Sequence, residues 1–275
     1  MARISVIMGI YNCASTLPEA LESLLSQTYQ DFKVIMCDDG SGDNTYEIAQ
    51  SYVDRYPEKF ILIKNEKNIK LAATLNHCLE YVDTELVARM DGDDISLPER
   101  FEKEVEFLDN HPEYAFVSTP MIYFDEDGDF MTGKANGEPT RESFRYGSPF
   151  CHAPCMVRAE AYNAVGGYTD TERTLRMEDY YLWYKMYKAG FKGFNILTPL
   201  YKMRDDRNAK RRRISMKNRI NGLKTDIEVL KGLGLKNPRT YPIFHFIYGS
   251  ISQFFPYKLM KRLRTIYHTS ILSKL

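Results

Sequence analysis

Several things are scarce in this 275-residue chain, and each scarcity excludes a class of protein. Cysteine is one of them: Cys13, Cys37, Cys78, Cys151 and Cys155 are an odd number, widely spaced. A disulfide-stapled scaffold is thereby excluded, and the five read as reduced thiols of a cytosolic protein. Near the Cys151/Cys155 pair the sequence offers only His152, too few ligands for a zinc site. No apolar run approaches the ~18 residues of a membrane-spanning helix. The opening Met-Ala-Arg with Ile4–Ile10 is too short for a signal peptide with its cleavage site. A soluble or peripheral protein is expected. Repeats and low-complexity tracts are absent. Net charge is absent as well, with 37 basic and 37 acidic side chains.

The zero conceals a split. From Lys202 onward there are 18 Lys and Arg against 4 Asp and Glu, a net of +14, and the first 201 residues carry the matching −14. An asymmetry of this size points to an anionic ligand or surface for the basic part.

What is present is an alternation. Ile4–Ile10 is a β-branched apolar run, and Thr16-Leu-Pro-Glu19 then opens a helix with capping-box spacing, continued by Leu17, Leu21, Leu24 and Leu25 at helical intervals. The pattern predicts strands at Phe32–Cys37, Phe60–Ile63 and Leu86–Met90, and helices over about 44–56 and 71–82. Ser96-Leu-Pro-Glu99 repeats the capping logic for a further helix. Strands separated by helices of this length imply an α/β fold with a parallel sheet covered on both faces. After about residue 115 the alternation gives way to a mixed region. There Asp125-Glu-Asp-Gly-Asp129 reads as a hairpin turn, since the twelfth-position Glu of a calcium loop is missing. Glu178-Asp179 lead a helix, and residues beyond 201 form a basic, helical extension.

In such sheets ligands sit at the carboxyl ends of the strands. Those ends carry Tyr11-Asn12, Asp38-Asp39 and Asp91-Gly-Asp93-Asp94. Asp91-x-Asp93 after a strand suits a hard divalent cation, Mg²⁺ or Mn²⁺, which binds through a few carboxylates together with substrate phosphates. Three polar strand ends facing one crevice carry more weight than any one motif.

Taken in order, these segments resemble a family 2 glycosyltransferase of GT-A fold from residue 3 to about 205. They are Ser5–Asn12, Gln27–Phe32, Cys37–Asp43, Asn68–Asn76, Arg89–Asp94, Pro98–Arg100, Gly166-Gly167-Tyr168 and Glu178-Asp179. The resemblance implies a Rossmann-like, mostly parallel sheet with a nucleotide-sugar half (1–95), an acceptor and catalytic-base half (96–205), and the helical extension 206–275. It also implies inverting transfer of a hexosyl or N-acetylhexosaminyl group from a nucleoside-diphosphate sugar, by default UDP-linked, to a saccharide hydroxyl. By the same resemblance Ile10, Tyr11, Asn12, Asp39, Asn68 and Lys70 line the nucleotide, with Asp39 on the base edge. Asp91 holds the ribose or a metal-bound water, Asp93 ligates the metal, and Asp179 is the general base. Glu178 binds the acceptor or orients Asp179. Trp183, one turn later, is either an acceptor platform or a core anchor. Arg204 stands where relatives often carry a metal-binding histidine, and it would bind the diphosphate directly.

Arg207 and Lys210–Arg213 are read as a loop near the donor or as a solvated face. Lys258–Arg264, interleaved with apolar residues after the aromatic stretch 241–255, reads as a helix packed on the domain's own surface or as an interfacial helix on an anionic membrane. That would suit a lipid-linked saccharide acceptor at the cytosolic face of the plasma membrane, in surface polysaccharide or glycolipid assembly. Nucleic-acid recognition motifs are absent. Two rival functions fit the sequence less well. A nucleotidyltransferase needs an early glycine-rich, basic loop, which Ile7–Asn12 is not. A catalytically silent carbohydrate- or partner-binding module does not need Asp39, Asp91, Asp93 and Asp179 together.

Overall fold

The computed structural model describes residues 2–205 and 215–237, with Pro242, Ile243, Phe246 and Ile247 beyond them. The basic clusters at 207–213 and 258–264 lie outside the described residues.

The chain begins with β1 (Ile4–Ile10), α1 (Leu17–Leu25), β2 (Phe32–Asp38), α2 (Thr45–Arg55), β3 (Phe60–Lys64), α3 (Leu71–Leu79) and β4 (Leu86–Arg89). Next come β5 (Ile95–Ser96), α4 (Arg100–Asn110), β6 (Phe116–Ser118), β7 (Met121–Asp125) and β8 (Gly128–Thr132). The remainder is β9 (Met156–Arg158), α5 (Ala159–Val165), α6 (Glu178–Lys188), β10 (Gly193–Asn195), β11 (Tyr201–Arg204) and α7 (Met216–Gly232). Seven strands form the central sheet in the order β10-β6-β9-β4-β1-β2-β3. It is mostly parallel, with β9 alone antiparallel to its neighbours β4 and β6.

β1 shows why a near-continuous apolar run is needed at the centre of a covered sheet. Ile4, Val6, Met8 and Ile10 face a core that includes Leu17, Leu21 and Leu24 of α1, Tyr52 of α2 and Phe101, Val105 and Leu108 of α4. Ile7 faces the other way, into a core built by α3, α5, α6 and α7. Each fully buried Leu of α1 contributes about 1.5–3 kcal/mol relative to exposure. Helix α7 belongs to this second core through Val229 and Leu230, so part of the basic extension is packed onto the first 205 residues.

Both predicted helix caps differ from expectation. The Thr16 hydroxyl donates to the carbonyls of Cys13 and Gly92 rather than capping α1, which ties the end of β1 to the loop after β4. Ser96 lies in β5, where its N–H donates to the Ser23 hydroxyl, and α4 starts only at Arg100. A second sheet of order β5-β11-β7-β8 closes one end of the domain. Tyr201 pairs with Ser96 and Arg204 with Phe124, so β11 is carried alongside the segment that follows Asp91–Asp94.

Candidate active site

The strand order reverses at β1, which has β2 on one side and β4 on the other. The crevice at such a switch point is where open α/β sheets bind ligands.

Contacts across the strand ends hold this crevice together. The Asn12 N–H donates to the Ser41 hydroxyl at 3.0 Å and the Gly42 N–H donates to Asn12 Oδ1 at 2.8 Å. Asn12 adopts φ 48°, a left-handed conformation that Asn tolerates better than most residues. Tyr11 beside it is half exposed. Asp39 is buried and accepts three hydrogen bonds: from Asn65 Nδ2 (3.0 Å), the Ile69 N–H (2.8 Å) and the Lys70 N–H (3.0 Å). A carboxylate has about four acceptor positions, so one remains for a donor on a ligand. The fit is close because Gly40, at φ +73°, passes so near Asn68 that a Cβ there would lie 3.0 Å from its backbone nitrogen. The side-chain Oδ1 of Asn68 is buried without a hydrogen-bond partner.

Lys70 is strained: its φ of 77° and ψ of 160° fall in a region that is essentially glycine's. Its side chain and Glu178 line the same cleft of about 190 Å³, together with Thr174, Leu175 and Arg176. That volume is below the ~300–1,000 Å³ of a site enclosing a whole drug-sized ligand, so the cleft takes only part of a substrate.

After β4, the Asp91 N–H donates to the Tyr201 hydroxyl and its Oδ1 accepts from Arg89 Nη2 at 2.5 Å. Asp93 is accessible at the surface, yet burial of its surroundings and the charge of Asp91 raise its pKa. Asp94 is buried and pushed up to about 8 by burial and by Asp91 and Asp93. Among the described residues, no three His, Cys, Asp or Glu side chains cluster as a ready metal cage. The donor set nevertheless fits a hard divalent cation. Asp91 and Asp93 repel each other, and a substrate diphosphate and waters would fill the remaining positions.

Arg204 lies beside Asp93 and Asp94 and is engaged. Its N–H donates to Asp94 Oδ1 (2.8 Å), its Nε donates to the Asp93 carbonyl (3.0 Å), and its guanidinium pairs with Glu19 above the Phe124 ring.

Glu178 and Asp179 occupy the first turn of α6, and burial raises the pKa of both. Arg89 opposes that rise in each case. Trp183 is fully buried and stacks on Phe116 at 4.8 Å. It is a core anchor, and no face is left for an acceptor sugar. Sequence reasoning gave Arg89 no role. The signal was a charge within the otherwise apolar strand Leu86–Met90, which a buried strand tolerates only when the charge is compensated.

The chain resembles known proteins over most of its length. The glycosyl transferase family 2 model matches residues 5–166. EpsE of Bacillus subtilis (strain 168) is 46% identical over 211 residues, 77% of this chain and 76% of that one. The UDP-Glc:alpha-D-GlcNAc-diphosphoundecaprenol beta-1,3-glucosyltransferase WfaP of Escherichia coli is 28% identical over 268 residues, covering 94% and 98% of the two chains. Among solved structures, S. aureus TarS 1–349 in complex with UDP-GlcNAc superposes with a TM-score of 0.68 at 19% identity, covering 92% of this chain and 73% of that one. The fold is thus GT-A, and the chain belongs to glycosyl transferase family 2.

Proposed function

We propose that the protein is an inverting transferase that moves a hexosyl or N-acetylhexosaminyl group from a UDP-sugar to a hydroxyl of a lipid-linked saccharide, in surface polysaccharide or glycolipid assembly. The observation that carries this reading is the placement of Asp39 just beyond β2 and of Asp91 and Asp93 just beyond β4, the two strands that flank β1. The WfaP name specifies a UDP-sugar donor and a diphosphoundecaprenol-linked acceptor, and TarS was solved with UDP-GlcNAc. Both support the same chemistry here.

In this reading residues 1–205 are the catalytic domain, with α7 packed onto it. Tyr11 covers the base, while Asp39 accepts a hydrogen bond from its edge through the one free position. Asn68 offers its unpaired Oδ1 to base or ribose, and Ile10, Asn12 and Lys70 complete the nucleotide wall. Asp91 and Asp93 would hold Mg²⁺ or Mn²⁺, and a bound cation supplies positive charge for the departing diphosphate. Arg204 contributes a further positive charge beside Asp93. A sugar hydroxyl is a poor nucleophile, so Asp179 takes its proton during attack, a contribution of ~10²–10⁴-fold. Attack from the face opposite the diphosphate inverts the anomeric carbon. Glu178 binds the acceptor or orients Asp179. The segment Lys258–Arg264, outside the described residues, would hold the enzyme peripherally on anionic lipid. Among the described residues no helix is long and apolar enough to cross a membrane.

A panel of sugar nucleotides, each with and without Mn²⁺, tests the reading by thermal unfolding. A ligand at ~100 times its Kd adds about 2.7 kcal/mol. NMR of the transfer product then reports its anomeric configuration. Stabilisation by a UDP-sugar and an inverted product are expected. A panel without any stabilising member, or a product of retained configuration, would overturn it.

A further inference from the structure

We propose that Arg89 is a positioning residue serving two carboxylates at once: it holds Asp91 on the donor side and supplies counter-charge to Asp179 on the base side. The proposal rests on Asp179 being the base.

Alternation along β4 sets the direction of the side chain. Leu86 and Ala88 belong to the core beneath α1, α2 and α4, while Val87 belongs to the core built by α3, α5, α6 and α7. Arg89 shares the parity of Val87 and therefore projects towards the layer that carries Glu178 and Asp179. It is 3% exposed, and an uncompensated guanidinium at such a position is strongly unfavourable. Its backbone is pinned on both sides. The Arg89 N–H donates to the Cys155 carbonyl at 3.0 Å, and the Arg89 carbonyl accepts from Arg100 Nη2 at 2.9 Å. At the other end Nη2 donates to Asp91 Oδ1 at 2.5 Å, and Nε is buried with no hydrogen-bond partner. One carboxylate thus uses only part of a donor group with five N–H bonds.

The charged and titratable groups that Arg89 acts on come from several elements. Asp91 and Asp93 lie beyond β4, Cys155 and His152 precede β9, Tyr168 follows α5, Tyr201 lies on β11, and Glu178 and Asp179 lead α6. Burial, reinforced by the positive charge of Arg89, keeps His152 neutral. Its Nε2 meets the Tyr168 hydroxyl at 2.8 Å instead. His152 therefore adds no competing cation, and the guanidinium opposes the burial-driven rise of both Glu178 and Asp179.

The full-length enzyme carrying Arg89→Met or Arg89→Lys, each also combined with Asp179→Asn, provides the test. Circular dichroism melting checks folding. Titration of Mn²⁺ followed by its electron paramagnetic resonance signal reports the donor side without reference to activity. The pH dependence of kcat/KM reports the base. Loss of a neighbouring positive charge raises a carboxylate pKa, so Arg89→Met should move the acid limb upward by about 1–3 pH units and weaken Mn²⁺ binding. Arg89→Lys keeps the charge with a different reach, and should restore most of the limb. In the Asp179→Asn background, Arg89→Met should cost far less transfer than in wild type, because the two losses overlap. An unmoved acid limb in a folded variant, or fully additive losses, would overturn the proposal. If Arg89→Met does not fold, the same limb measured in Arg89→Lys decides, with an upward shift of less than about one unit expected and none refuting it. Wild-type transfer by Asp179→Asn alone would instead strike the base assignment beneath it, and that outcome is read separately.

Discussion

Lys70 offers the cleanest link between sequence, strain and site. Its backbone sits at φ 77°, ψ 160°, while its N–H is spent on Asp39 at 3.0 Å. A side-chain-bearing residue held there costs about 1–3 kcal/mol, a strain that glycine does not feel. Lys70→Gly removes that cost but gives the unfolded chain more freedom, which returns about 0.4–1 kcal/mol. The net expectation is a gain of about 1 kcal/mol, or about 2–4 °C in melting temperature for a protein somewhat smaller than this one. Lys70→Ala is the control. It deletes the same side chain and keeps the strain, so it should melt no higher than wild type. Thermal unfolding by circular dichroism, with the two variants side by side, isolates the backbone contribution. A glycine variant no more stable than the alanine variant would refute the strain argument. If the lysine side chain also contacts donor, both variants should lose the same donor affinity, since neither retains the ammonium group.

Three further outcomes are expected. A Cβ at Gly92 would lie 2.8 Å from Cys13 Sγ, so Gly92→Ala should destabilise the Asp91–Asp93 loop by about 1–3 kcal/mol, and adding Cys13→Ala should restore at least half of that in urea unfolding. Asp93→Ala should weaken UDP-sugar binding measured by calorimetry in Mn²⁺ while changing it much less in EDTA. Burial pushes the Asp226 carboxyl up to about 7. A raised acid holds its proton in the folded state, so its contribution is full below the unfolded carboxylate range and lost as pH rises to about 7. Asp226→Asn should therefore stabilise the protein at pH 8, by no more than about 4 kcal/mol, and have almost no effect near pH 4 in matched urea titrations.

The legible part of the fold followed from local pattern. β1, β2, β3 and β4 lie within a residue of their expected bounds, because apolar runs buried on both faces leave little freedom in reading them. The strand-end residues Tyr11, Asn12, Asp39, Asp91 and Asp93 were legible for the same reason, since strand ends are where this architecture binds ligands. Contacts between distant segments were not. β5 has two residues and gains its identity only by pairing with β11, more than a hundred positions later. Thr16 and Ser96 looked like helix caps, yet their partners, Gly92 and Ser23 with Gln27, are supplied by tertiary packing. Trp183 reads from sequence as a core anchor or a sugar platform, and its burial against Phe116 settles it as the anchor. Arg89 stood out only as a charge in an apolar strand, and its surroundings beyond Asp91, among them Tyr168, Tyr201 and Cys155, come from distant segments. The contacts of Arg204 with Asp93, Asp94 and Glu19 bring together residues that sequence spacing does not connect.

Asp179 is the group proposed to take the acceptor proton. The most direct measurement is transfer by Asp179→Asn under saturating donor and acceptor, with donor affinity of the same preparation determined by calorimetry. A fall in kcat of about 10²–10⁴-fold is expected, with donor Kd changed by less than a factor of about 3, equivalent to under about 0.7 kcal/mol. Transfer at the wild-type rate, or a loss of transfer fully explained by lost donor binding, would contradict that role.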